Sequence, residues 1–249
     1  MPPVNPIFST PPDETEPVAD DAVIADSRAT AYTTLAEPEF RHELEVRRSR
    51  FITVLHRTGN EERARSVLAG LRKEFYDARH HCSAFVLGPD RSVQRANDDG
   101  EPAGTAGAPM LEALLKRETA PGVTDLSDVT AVVVRYFGGI LLGAGGLVRA
   151  YSESVSAALD NACLVHRRRL RICSVAVPHT AAGRLENDLR AAGYVMADTT
   201  YGAQDTVLRL ALPDDPGGMA AAAERLAALT AGSAVLVPGE TEWVDVPGS

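Results

Sequence analysis

The stretch VVVRYFGGILLGAGGLVRAY holds the residues of this chain best suited to chemistry. Arg135 closes a run of valines, Gly138, Gly139, Gly143, Gly145 and Gly146 follow, and Arg149 comes just beyond them. A buried strand passing through glycines into a helix offers the unpaired N–H groups and positive dipole end that attract anions. Glycines let a phosphate approach the backbone closely, and Arg135 and Arg149 supply charge on either side. A second reading uses the same glycines only for tight turns and close packing of helix on strand. No Gly-Lys-Ser/Thr follows, so the stretch is not a P-loop. Nor does it match GxGxxG with a downstream ribose-binding acid.

Two further segments carry polar groups. Asn97 to Gly107 clusters Asp98, Asp99 and Glu101 among glycines. Such carboxylates either hold magnesium beside a phosphate or form a solvated turn. DARHHC, from Asp77 to Cys82, contains two histidines and a thiol. His81 and Cys82 are neighbours on an expected strand, so they point to opposite faces and make no nucleophile–base pair. No zinc spacing is present. His80 and Arg95 join the two arginines as candidates for phosphate or nucleic-acid contact. No catalytic residue, cofactor or bound metal is expected.

Several elements must position these residues. Phe51, Ile52, Val54 and Leu55 read as a strand after the basic stretch Arg47 to Arg50. Asn60 is a cap for a helix whose core face is Ala64, Val67, Leu68, Leu71 and Phe75. Short strands follow near Ser83–Leu87 and Ser92–Ala96, then a helix near Met110–Arg117. Val129–Tyr136 is a buried strand, and a long helix runs from about Ala144 to Ala162. Beyond the basic joint HRRRLR comes a second unit. Its strand is Arg171–Val177, its helix is capped by Thr180, and its hairpin turns at Gly202. A helix announced by Asp215 and Pro216 and a last extended run complete it. The order βαββαβ is the ferredoxin-like pattern.

The blocks DARHHCSAFVLG, RANDDGEPAGTAGAPML and VVVRYFGGILLGAGGLVRAY resemble, in that order, the IMPACT/YigZ family. The likeness covers all but the first 35 residues. It implies an α+β chain of two domains. The first would be a two-layer domain of the type shared by a small-subunit ribosomal protein and domain IV of the translocation GTPase. The second would be a ferredoxin-like βαββαβ domain, similar to domain V of that GTPase. Eukaryotic relatives regulate translation by competing for the activator of an initiation-factor kinase. Here residues 1–35 are too few for the partner-binding domain those relatives carry. Many relatives have lysine where this chain has Leu141, which weakens a kinase-like use of the glycines.

Composition sets the remaining bounds. With 45% hydrophobic and 24% charged residues, the 249-residue chain is globular in character. Its net charge is −9. Residues 1–35 hold six acids, one base and six prolines, the mark of a disordered acidic tail. Residues 36–164 and 165–249 form the two expected domains. The longest uncharged central stretch, Tyr136 to Val148, is too short to span a membrane. Cys82, Cys163 and Cys173 form no CxxC pair, which points to reduced thiols and a cytoplasmic protein. Of the cationic side chains only Lys73 and Lys116 are lysine, and arginine forks pair well with phosphate. The leading expectation is a translation-associated regulatory protein binding RNA or ribosomes through its glycine-rich surface. The alternative is an enzyme or sensor for a small phosphorylated metabolite. A protein partner, met by the tail or the second sheet, is a third possibility.

Overall fold

The computed structural model describes residues 29–246. It is a mixed α+β structure with two antiparallel sheets. The first sheet joins β2 (Glu39–Val46), β3 (Ser49–Arg57), β6 (Val129–Tyr136), β4 (His80–Leu87) and β5 (Val93–Asn97), in that spatial order. Its helices are α1 (Glu61–Glu74), α2 (Gly107–Lys116) and α3 (Gly143–Asn161). β2 and β3 form a hairpin whose turn residues Arg47 and Arg48 both have positive φ, 48° and 65°. That backbone matches the right-handed twist of the paired strands.

The expected two layers are in fact three. Phe51, Leu55, Ala84, Val133, Met110, Tyr151, Val155 and Leu159 form the core between the sheet and α2 with α3. Val54, Val132 and Val134 meet Val67 and Leu71 of α1 on the other face. The cause lies in β6, where consecutive valines put apolar side chains on both faces and both must be covered. Asn60 caps α1 as expected, accepting from Arg63 N at 2.8 Å.

The second sheet contains β7 (Leu164–Pro178), β8 (Val195–Tyr201), β9 (Asp205–Leu212) and β10 (Val237–Val246). β10 and β9 flank β7, and β8 pairs with β9. α4 (His179–Ala191) and α5 (Pro216–Thr230) cover one face, burying Val175, Leu185, Leu189, Leu208, Leu210 and Leu226. The element order βαββαβ is therefore present. Asp215 caps α5 by accepting from Gly218 N at 2.8 Å. Thr180 does not cap α4: the helix starts two residues earlier than such a cap would set, at His179 after Pro178, without a side-chain cap.

Two expected boundaries move. Ala31–Leu35, assigned from sequence to the tail, is strand β1 and pairs with β7. Tyr32, Thr33, Thr34 and Leu35 are buried. The segment is short and its prolines all precede it, so composition averaged over 35 residues conceals it. Residues 1–28 of the expected tail lie outside the described residues. HRRRLR is likewise no exposed joint. It is the interior of β7, held between β1 and β10, and its Leu170 is buried. β1 also ties the two sheets together. Thr33 bridges to Leu126, and the Tyr32 hydroxyl donates to Asp128 beside the first sheet. Arg57 of β3 makes a bidentate ion pair with Asp245 of β10, both contacts at 2.7 Å.

Candidate functional site

β6 ends at Arg135 and Tyr136, and a loop of exposed apolar side chains leads to α3. Phe137 is 51% exposed and Leu141 is 82% exposed. The loop's path depends on glycine at one contact above all. A Cβ on Gly138 would lie 2.0 Å from the backbone of Arg48, so the loop is pressed against the β2–β3 turn. Gly139 and Gly143 have φ of +84° and +71°, which suits glycine. These three glycines serve geometry. Gly145 faces open space, and Gly146 lies against Leu142.

α3 begins without a side-chain cap and without an acidic residue in its first turn. Its first N–H groups are therefore left for solvent or a ligand. On one side of this start is a groove of about 440 Å³ lined by Val46, Arg47, Leu142, Gly145, Gly146, Arg149, Ala150 and Glu153. Arg47 and Arg149 are exposed, and neither makes an ion pair with a described residue. Glu153 is the acid on that wall.

Leu142 also borders a second groove, of about 340 Å³. Arg79, His80, Glu101, Pro102, Arg135 and Phe137 line it, with Leu141 and the first residues of α3. Its floor is a buried polar network. Arg135 donates from Nη1 to Glu101 Oε1 at 2.6 Å. The Tyr151 hydroxyl donates to the same oxygen at 2.8 Å. Cys82 Sγ lies 3.3 Å from the Tyr151 oxygen. Burial, then the neighbouring Cys82 and Glu101, holds the Tyr151 hydroxyl well above the usual tyrosine range. Burial also pushes the Cys82 thiol up to about 12. The Arg135 guanidinium sits over the rings of Phe51 and Phe137, 5.5 and 5.7 Å from their centroids.

The sequence-derived candidates thus separate into groups. Arg135 is not a free cation at the glycine loop. It is 6% exposed and neutralised by Glu101, because its strand position points it under α3 beside Phe51. His80 shares that face, and its Nδ1 is 2.9 Å from the Asp99 carbonyl. Arg95 is placed elsewhere. Its register partner Phe85 points to the α1 side, and Arg95 Nη2 lies 3.3 Å from Glu61. It takes no part in the glycine-loop site.

The three loop acids do not form a magnesium site. Asp98 accepts from the N–H groups of Gly104, Ala106 and Gly107 at 2.8–3.0 Å, closing the loop and starting α2. Burial alone would raise its carboxyl, but those three N–H groups together hold it below the usual carboxylate range. Asp99 turns to the other face, where it accepts from His81 N and pairs with Arg72. Glu101 is taken by Arg135 and Tyr151. Among the described residues no cluster of His, Cys, Asp or Glu is placed to hold a metal ion.

Arg47, Arg79 and Phe137 were not picked out by sequence as site residues. The signal for Arg47 was available: two alternating runs, EFRHELEV and SRFITVLHR, leave a two-residue basic turn between them.

Comparison with known proteins decides the family. The chain is 44% identical over 171 residues to the IMPACT family member YvyE of Bacillus subtilis, covering 69% of this chain and 75% of that protein. The chain belongs to the IMPACT family. The family's N-terminal domain model, Impact N-terminal domain, matches residues 47–159. That span runs from Arg47 through nearly all of α3 and contains the lining of both grooves except Val46. The family member YigZ of Escherichia coli is 52% identical over 117 residues, 46% of this chain and 54% of that protein. An IMPACT family member of Thermus thermophilus is 37% identical over 173 residues, 70% of this chain and 88% of that protein. A crystal structure of a hypothetical protein superposes with a TM-score of 0.53 at 36% identity, covering 85% of this chain and 98% of that one. No described helix of this IMPACT protein is long and apolar enough to cross a membrane.

Proposed function

We propose that this IMPACT family protein is a translation-associated regulator that binds RNA, free or in the ribosome, by its backbone phosphates. The observation carrying this reading is the uncapped start of α3 set between Arg47 and Arg149, two exposed arginines without an ion pair among the described residues. Helix N–H groups and guanidinium forks are both suited to phosphate oxygens. The translation-factor-like domain types implied by the family resemblance point the same way.

The test is RNA and ribosome binding by the full chain and by Arg149→Ala and Arg47→Ala variants. Losing one charge-assisted contact costs about 1.5–3 kcal/mol, roughly ten- to a hundredfold in affinity. Each arginine removed also lowers the salt slope by about one phosphate. Variants that bind RNA and ribosomes like the unaltered protein would end this reading.

The smaller groove favours one second reading. At about 340 Å³ it lies at the low end of small-molecule pockets, roughly 300–1,000 Å³. A phosphorylated metabolite bound there would saturate at one molecule per chain and respond weakly to salt.

A further inference from the structure

Arg135 is the one buried cation among the described residues, and most of its donors are unused. A guanidinium carries five N–H groups. One hydrogen bond, from Nη1 to Glu101, is made, while Nε is buried without a partner. The Nε–H is enclosed by protein, as it also is in Arg91, Arg117 and Arg167, so the smaller groove calls for an acceptor only through the remaining Nη donors. Glu101 neutralises Arg135, so the floor itself offers hydrogen bonds rather than net charge, and the cation available to an anionic group is exposed Arg79 at the groove's edge. Glu101 uses Oε1 for both of its hydrogen bonds, which leaves Oε2 to accept from a ligand. The carbonyl of Asp99 can only accept, so His80 Nδ1 carries a proton and Nε2 remains for other contacts. Above these groups Phe137 presents half of its surface, with Leu141, Leu142 and Pro102 around it.

A neutral, planar ligand with donors and acceptors side by side on one edge fits this arrangement. Nucleobases have that edge, and unstacked bases settle on aromatic rings and guanidinium planes. The two grooves share Leu142 and adjoin at the α3 start. We propose that the groove floored by Glu101 and Arg135 takes one unstacked nucleobase of the RNA strand whose phosphates lie beside Arg47 and Arg149. This rests on the RNA reading above and deepens it.

The experiment measures binding of the full chain to a fluorescein-labelled eight-nucleotide single-stranded RNA and to an abasic ribose-phosphate oligomer of equal length. Phe137→Ala and Leu141→Ser are suitable variants because both side chains are largely exposed, and a thermal melt checks their folding. Base stacking on an aromatic ring is worth roughly 5- to 150-fold in affinity. The unaltered protein is expected to prefer RNA over the abasic oligomer by about that factor. Phe137→Ala is expected to lose the preference while binding the abasic oligomer unchanged. If Phe137→Ala and Leu141→Ser keep the full preference while Arg149→Ala weakens binding, the base site is wrong and the phosphate reading survives. If Arg149→Ala and Arg47→Ala both lose nothing, the phosphate reading falls and the strand-borne base falls with it. A nucleoside monophosphate that fills the groove without competition from the RNA also overturns the proposal.

Discussion

Arg135 and Arg149 flank the same glycine loop, yet one is buried under it and the other stands outside it. Arg135 lies next to the last residue of β6 and is enclosed by Phe51, Phe137 and Glu101. Arg149 lies on the outer side of α3, exposed and without an ion pair among the described residues. The difference teaches that equal charge beside a motif does not imply an equal role. A cation fixed by a buried carboxylate shapes the site and presents hydrogen bonds. A cation left in water is available to a polyanion.

The largest break in this comparison should come from Arg135→Ala. Removing one partner of a buried ion pair leaves the other charge uncompensated and costs about 3–5 kcal/mol. Urea unfolding should show that loss; a change below about 1 kcal/mol would mean Glu101 is not stranded and the floor is not as described.

Next in size is Asp98→Ala, which strips the acceptor from three backbone N–H groups and should cost about 1–3 kcal/mol. The pH dependence has a definite sign. The Asp98 carboxyl is held below its usual range in the folded protein, so its stabilisation is present at pH values above the unfolded value of about 3.9. It is lost as the pH falls through the lower folded value. The stability gap between the two proteins should therefore be full near neutrality and shrink in acid. A gap that widens below pH 4 would contradict the hydrogen bonding assigned to the loop.

The cysteines sharpen the same contrast between interior and surface. Cys82 belongs to the buried floor and its thiol is pushed up to about 12. Cys173 is also buried, and Cys163 is exposed. Thiolate is the reactive form, so a thiol reagent should label one cysteine per native chain quickly, at Cys163. Rapid labelling of Cys82 would show that the floor opens readily.

The smallest effect on stability belongs to Arg149→Ala. An exposed side chain of this kind changes stability by no more than about 0.5 kcal/mol. A calorimetric melt close to that of the unaltered protein, together with weakened RNA binding, would separate the two arginines fully.

Local patterns carried much of the architecture. Periodicity and caps located α1, α5 and the β8–β9 hairpin because those signals lie within a few residues of one another. The valines of β6 announced a buried strand, and three motif blocks were enough to recognise the IMPACT family. Asp98, Asp99 and Glu101 show where such reading stops. Within four positions of one another, they end on different partners, since the turn backbone, with positive φ at Asp99 and Gly100, sends their side chains to different sides.

What sequence alone determined, then, was most of the elements, β1 and β2 excepted, the family, and the stretch in which the candidate site lies. Tertiary structure decided the rest: that β1 crosses back to pair with β7, that Arg95 joins Glu61, and that Arg135 is neutralised while Arg149 is not. The physical reason is range. Helix caps, turns and apolar periodicity act between near neighbours, whereas burial and charge compensation depend on residues such as Glu101 and Tyr151, 34 and 50 positions from the groups they meet.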